Sequence, residues 1–481
     1  MNNVSKLTKW SYCIGATGRD AAYTLVSMFV LTYIQYTMYL SMAQFSVIST
    51  AMVICMVWDA VNDLIMSAII ENSRFKAGKF RPFIIVGAIL NAIVIMAMFI
   101  IRPQGWRFVA FFVVAYLLWG MTYTVNDIAY WGMLPSLTSD PKERDGLVTT
   151  MGVFVCIGQF MVAGIVPVII AGNAVAAFRA TALIVGLGFI LFQTLTFWGV
   201  TEAPRSENEV VTVKGMFEIL KRNDQLISSG VAYVFFCLGQ QLLLLLAVNF
   251  FYFEFGYGGS GDLITIFTVM YGLGTLGAQF TYPAFTKKLN RMDLIKLCMA
   301  VLVVCYLVFL GFGYVFPKSV LLLFAVGFII FFCQGLYNLT MIVMINNTVE
   351  YDELRYGQRH DSIISAIRSF ASKLSGALNQ GAASLILIFS GIYQGSQNIS
   401  QLEVKIATGA ISRDEALVMA DQYTSGINDL AANVLMSPTF CLRIGMVAVP
   451  LAAMLLAFFI LARKYKIDET EYDRIVAELR K

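Results

Sequence analysis

Long apolar runs alternate with short polar connections along this chain. They predict helical spans at residues 12–40, 45–71, 82–101, 106–135, 147–171, 177–200, 227–256, 262–286, 293–315, 319–349, 361–393 and 438–463. A run of about 20 apolar residues is enough to cross a bilayer as a helix. The pattern therefore predicts an all-α polytopic membrane protein with about twelve transmembrane helices.

The polar connection from Thr201 to Leu226 divides the chain into an N-terminal six-helix half (1–200), a linker (201–226), a C-terminal six-helix half (227–463) and a tail (464–481). A weak internal repeat supports this division. Lys142-Glu143-Arg144-Asp145-Gly146-Leu147-Val148, after the fourth span, resembles Gln358-Arg359-His360-Asp361-Ser362-Ile363-Ile364, after the tenth. The basic run at 74–81 has a counterpart at 287–291. Two such halves with parallel pseudo-symmetry describe the major facilitator architecture. One outer segment, 391–438, is polar, and within it Ser412-Arg413-Asp414-Glu415 fits a capping box opening a surface helix over 412–422. The tail reads as a cytoplasmic surface helix.

Basic residues fall in alternate connections: Arg74, Lys76, Lys79 and Arg81; Lys142 and Arg144; Arg205, Lys214, Lys221 and Arg222; Lys287, Lys288 and Arg291; Arg355 and Arg359. Lys6, Lys9 and the Arg463–Lys466 stretch lie on the same predicted side. By the positive-inside rule both termini are cytoplasmic in the plasma membrane. Residues 1–10 carry no signal-cleavage pattern, so the first span is expected in the mature protein.

Against this apolar background the ionisable residues inside spans are informative. Burying a carboxylate at mid-membrane costs about 2.5–3.5 kcal/mol on insertion scales, so such residues are functional by default. Span two carries Trp58-Asp59-Ala60-Val61-Asn62-Asp63, which places Asp59 and Asp63 one helical turn apart with Asn62 beside them. Two like charges at that spacing suit a bound cation or a shared proton; neutralisation by protonation or by buried bases is the structural alternative. Span one carries Arg19, Asp20 and, one turn on, Tyr23. Adjacent side chains diverge by about 100°, so Arg19 and Asp20 are expected to line a polar pocket rather than pair face to face.

Span four places Thr124, Asp127 and Trp131 along one stripe, flanked by Tyr123 and Tyr130. A carboxylate beside aromatic faces suits a hydroxyl-rich ligand; without Asp127 the stripe would read as packing. In the second half, Arg368 and Lys373 lie on span eleven, where Lys373 needs an anion. Acids of the first half are thus expected to face bases of the second.

Composition narrows the classes further. Apolar residues make up 58% of the 481 and charged residues 13%, with a net charge of +4, so nucleic acid is not an implied partner. The eight cysteines lack CxxC spacing and His360 is the only histidine, so the cysteines read as buried hydrophobes rather than disulfides or metal ligands. No nucleophile or metal cluster points to an enzyme.

Together these motifs resemble the glycoside-pentoside-hexuronide:cation symporters, the melibiose permease-like sugar branch of the major facilitator superfamily. The resemblance covers nearly the whole chain. It rests on Gly18-Arg19-Asp20, on Trp58–Asp63 continuing to Gly78-Lys79-Phe80-Arg81-Pro82, on Asp127 with Tyr130-Trp131 and Leu134-Pro135, and on Lys142-Glu143-Arg144. It also rests on Thr348-Val349-Glu350-Tyr351-Asp352-Glu353, Arg359 and Ser369-Phe370-Ala371-Ser372-Lys373.

The resemblance implies a cation site of Asp59, Asn62, Asp63 and Thr124. It implies a sugar site of Arg19, Asp20, Tyr123, Asp127, Trp131 and Lys373, to which the chain's own pattern adds Tyr23 and Arg368. Arg19 stands where the family's best-known member has lysine, and Gly152 where it has a sugar-site arginine. The expected function is cation-coupled sugar symport, with Na⁺ favoured over H⁺ by the neutral oxygens of Thr124 and Asn62. Carriage of an anionic sugar such as a hexuronide, carriage of a lysolipid-like amphiphile, and a transporter-like sensor are the alternatives. Expected partners are a small sugar, a monovalent cation and membrane lipid around a monomer, with no cofactor beyond the coupling ion.

Overall fold

A computed structural model describes residues 4–73, 75, 77–138, 141–202, 222–357, 361–428 and 437–479, without the side chains of residues 64, 71, 141–142, 145 and 361–366. Arg74, Lys76, Arg359, His360 and most of the 201–226 connection lie outside it. The described chain is helical: α1 (Lys6–Thr37), α2 (Met42–Asn72), α3 (Arg81–Ile100), α4 (Trp106–Leu137), α5 (Pro141–Ile170), α6 (Ala174–Gly199), α7 (Asp224–Leu245), α8 (Ala247–Phe255) and α9 (Gly261–Thr286). There follow α10 (Arg291–Gly311), α11 (Val320–Asn346), α12 (Thr348–Tyr356), α13 (Asp361–Phe389), α14 (Ile392–Ala407), α15 (Arg413–Gly426), α16 (Pro438–Lys464) and α17 (Glu469–Leu479).

Among the described residues, ten spans pass as membrane-crossing helices on length and composition alone. The expected count was about twelve. Neither α1 nor α13 passes by itself, and these are the helices that carry Arg19 with Asp20 and Arg368 with Lys373. α13 passes only together with α14, across an 87° bend. At that bend Gly391 adopts φ +79°, a left-handed conformation that glycine takes without penalty. Residues 392–407, expected as loop, thus form a helix, most of whose inner face is buried. In α15 Ser412 Oγ accepts from Glu415 N at 3.3 Å, the N-cap read from sequence.

Two compact units account for the chain. The first contains residues 1–210, 251–265 and 391–430; the second contains 211–250, 266–390 and 431–481. In the first, α1 packs on α5 and α6, α3 on α4 and α6, and α2 on α4. Tyr12 and Tyr130 stack at 4.5 Å and exchange hydroxyl-to-carbonyl hydrogen bonds, which fixes α1 against α4. In the second, α7 packs on α16 and α13, and α10 on α11 and α16.

Two local devices recur in both units. Glu202, just past α6, accepts from the backbone N–H of Arg81, the first residue of α3, at 2.8 Å. Glu469, past α16, accepts from the N–H of Arg291, the first residue of α10, at 2.7 Å. A carboxylate at a helix N-terminus satisfies orphan donors and meets the positive end of the helix dipole. Likewise Glu143, after α4, accepts from Val4 N at 2.8 Å ahead of α1, while Asp352, after α11, accepts from Arg222 at 2.8 Å ahead of α7. The hydroxyl of Thr138 and the Val4 amide hold the Glu143 carboxyl below its ordinary range.

Candidate functional site

The first unit gathers the polar residues of α1, α2 and α4 into two adjoining clusters. In the first cluster Thr124, 1% exposed, donates its hydroxyl to Asp59 Oδ1 at 2.8 Å and stands 3.1 Å from Asp63 Oδ1. A threonine hydroxyl has one proton, so it serves one carboxylate at a time. Its lone pairs are free to turn toward a cation that would sit between the acids. Asn62 is buried beside them, its Nδ2 lacking a partner among the described residues. A hydroxyl, two carboxylates and an amide supply the hard oxygen ligands that a small monovalent cation takes.

The second cluster lies one turn along α4. Arg19, 3% exposed, contacts Asp20 Oδ2 through Nη2 at 2.8 Å and Nε at 3.1 Å. The divergence of adjacent positions therefore does not prevent their pairing. The long arginine stem folds back along the helix, and the planar fork meets the neighbouring carboxylate. The same guanidinium reaches Asp127 on α4, with Nη1 at 3.3 Å from Oδ1, and lies over the rings of Tyr130 at 4.7 Å and Trp131 at 5.3 Å. One guanidinium thus bridges two carboxylates, from α1 and α4.

Tyr23 stacks on Trp119 at 5.9 Å and packs on Tyr123 at 5.1 Å, which forms an aromatic wall beside Asp20. Two members escape sequence reading. Gln159 of α5 donates to Asp20 Oδ1 at 3.3 Å, and Trp119 completes the wall. The lone amide of Gln159 inside an apolar span was the available signal. At Gly152, where the family's best-known member has arginine, nothing lies within 4 Å of the position a Cβ would take. The base is missing there, and the space is open.

Lys373 and Arg368 belong to α13 in the second unit. Five residues apart on a helix, they point about 140° from one another, so they do not share a face. Arg368 lies on the side of Tyr233 of α7.

The family model described as "MFS/sugar transport protein" matches residues 11–469. The chain belongs to this family. Within the family's range it is similar to the lactose permease of Lactobacillus delbrueckii subsp. bulgaricus, 26% identical over 98% of this chain and 72% of that protein. It is also similar to the raffinose carrier protein of Pediococcus pentosaceus, 25% identical over 80% of this chain and 63% of the relative. Among solved structures it matches a bacterial homolog of the human lysosomal transporter Spinster, in an inward-facing and unoccupied conformation. That match has a TM-score of 0.64 and 13% identity, over 95% of this chain and 96% of the other. It also matches a D-xylose-proton symporter, with a TM-score of 0.56 and 15% identity over 87% and 97%. These matches show the major facilitator fold.

Proposed function

We propose that this chain is a secondary active transporter that couples the movement of a cation, Na⁺ in preference to H⁺, to symport of a neutral sugar or glycoside by alternating access. The carrying observation is that one turn of α4 serves both clusters: Thr124 faces Asp59 and Asp63, and Asp127 faces Arg19 and Asp20. A cation between the two α2 acids relieves their repulsion and fixes α2 against α4. That sets Asp127, three residues on, for the sugar. By linkage the sugar raises cation affinity by the same factor, a coupling of about 1–3 kcal/mol.

The two carboxylates held by Arg19 suit the hydroxyl groups of a sugar. Asp20 and Asp127 accept hydrogen bonds from hydroxyls, while the exposed rings of Tyr23 and Trp131 offer faces for the C–H side of a pyranose. The names of the relatives, lactose and raffinose carriers, agree with a glycoside substrate.

The experiment is uptake of labelled neutral and anionic glycosides into membrane vesicles under imposed Na⁺ or pH gradients. Uptake of a neutral glycoside driven by a Na⁺ gradient is expected. Uptake indifferent to both gradients overturns the coupling.

A further inference from the structure

At the end of the first unit where α1 stops and α6 starts, three aromatic rings lock together. Tyr33 of α1 packs on Phe99 of α3 at 4.7 Å and on Phe178 of α6 at 5.4 Å, and Phe99 stacks on Phe178 at 5.8 Å. The Tyr33 hydroxyl donates to Phe99 O at 3.3 Å. These contacts set the C-terminal ends of α1 and α3 beside the first turns of α6. Two bases are thereby brought to one place: Arg102, just past α3, and Arg179, next to Phe178. Each lies near enough to the Tyr33 hydroxyl for its charge to act there, and the two act on one another.

Helix capping accounts for only part of Arg102. Its Nη2 donates to the carbonyl of Thr37, the last residue of α1, where helix carbonyls lack intrahelical donors. Its Nε is buried and has no hydrogen-bond partner among the described residues. Burial, with the like charge of Arg179, holds the Arg102 guanidinium below its ordinary range. Arg179 is exposed on α6. Among the described residues no carboxylate pairs with either guanidinium. Two like charges side by side repel, and the partial burial of one adds to the cost. An anion between them removes it.

The surroundings say which anion. Membrane-crossing spans end at Ile100 and begin at Trp106 and Ala174, so Arg102 stands at the boundary of the bilayer, level with the exposed indole of Trp106. From Arg179, α6 runs into the bilayer, and Leu183 and Leu187, four and eight residues on along the same face, are both exposed. A basic pair at the boundary above an apolar stripe has the two-part form of a phospholipid. Guanidinium forks match phosphate oxygens in pairs. A free phosphate engages the bases but leaves the leucines uncovered.

We propose that Arg102 and Arg179 form a binding site for the phosphodiester of an anionic phospholipid whose acyl chain lies along Leu183 and Leu187. The site is contained in the first unit and does not depend on the transport reading. To test it, the purified full chain in detergent is titrated with phosphatidylglycerol or phosphatidylcholine, and the first bound lipid is followed by native mass spectrometry. Both lipids carry the phosphodiester, but choline cancels its charge in the second. The parent is expected to prefer phosphatidylglycerol about tenfold or more, and Arg179→Gln to bind it about fivefold more weakly. Phosphatidylcholine binding and the lipid-free thermal midpoint of that variant should be unchanged. Arg102→Gln should show the same loss; if it fails to fold without its bond to Thr37, Arg179→Gln decides alone. Arg107→Gln, which removes an exposed base from the first turn of α4, should keep the parent's preference. The site is overturned by a parent without preference, by an Arg179→Gln variant that binds phosphatidylglycerol as the parent does, or by an equal loss in Arg107→Gln. Displacement of the bound lipid by an equal concentration of inorganic phosphate assigns the bases to a free anion and overturns the lipid.

Discussion

The Thr124 hydroxyl donates to Asp59 Oδ1 over 2.8 Å while standing 3.1 Å from Asp63 Oδ1, so one hydroxyl on α4 lies within reach of two acids on α2 and serves one at a time. If this hydroxyl turns its lone pair to a cation, Thr124→Val removes a ligand at nearly constant volume. A hydrogen bond to a charged group is worth about 1.5–3 kcal/mol, so cation affinity should fall roughly ten- to a hundredfold. Thr124→Ser should keep most of it. Sugar binding titrated with Na⁺ is the measurement, and an unaltered Na⁺ midpoint in the valine variant would rule out the ligand role.

Asp59 and Asp63 give a sharper separation. Replacing Asp59 by Cys removes one charge and the repulsion with it, so the cation has little to bind and the sugar little to gain from it. Cation-stimulated sugar binding is expected to vanish while part of the cation-independent binding persists. Persistence of Na⁺ stimulation in the variant would move the cation site elsewhere.

Arg19 bonds Asp20 through two nitrogens and also pairs with Asp127, so its substitutions should split by geometry. Arg19→Lys keeps the charge but not the fork or the stacking on Tyr130 and Trp131. It should fold, with sugar affinity lowered about tenfold. Arg19→Gln removes the charge that pairs with buried Asp20, and breaking a buried pair costs about 3–5 kcal/mol. Its first symptom should be a lowered thermal midpoint of the purified protein. Equal stability of the two variants would mean that the pairing matters less than its burial suggests.

Hydropathy and charge patterning were sufficient to read the membrane class, the major facilitator fold and the ionisable residues of α1, α2 and α4. The reason is that each such residue stands out against lipid-facing positions. What escaped depends on side-chain reach or on contacts distant in sequence. Helical periodicity places Arg19 and Asp20 apart, but it does not contain the length of the arginine stem. Gln159 and Trp119 have unremarkable neighbours and acquire meaning only through Asp20 and Tyr23. The helix at 392–407 is hidden because its polar residues, Gln397 and Glu403 among them, are buried against backbone groups of distant segments. Polarity that usually marks a loop here marks a docked helix.

The α1–α5 contact offers a test of how tightly the sugar cluster depends on helix spacing. A Cβ on Gly158 would collide with Thr17 O, a backbone atom that cannot swing aside, so the two helices must part to admit any side chain. Gly158 precedes Gln159, whose bond to Asp20 spans the same two helices. Overpacking of this kind costs about 1–3 kcal/mol. Gly158→Val is therefore expected to lower the thermal midpoint and, by moving Gln159 from Asp20, to weaken sugar binding in proportion. Gly152→Ala on the same helix meets nothing within 4 Å. It should be neutral or slightly stabilising, because alanine is favoured over glycine by about 1 kcal/mol inside a helix. Thermal denaturation and sugar titration of the two variants side by side give the result. If both behave alike, the close approach of α1 and α5 does not position the site.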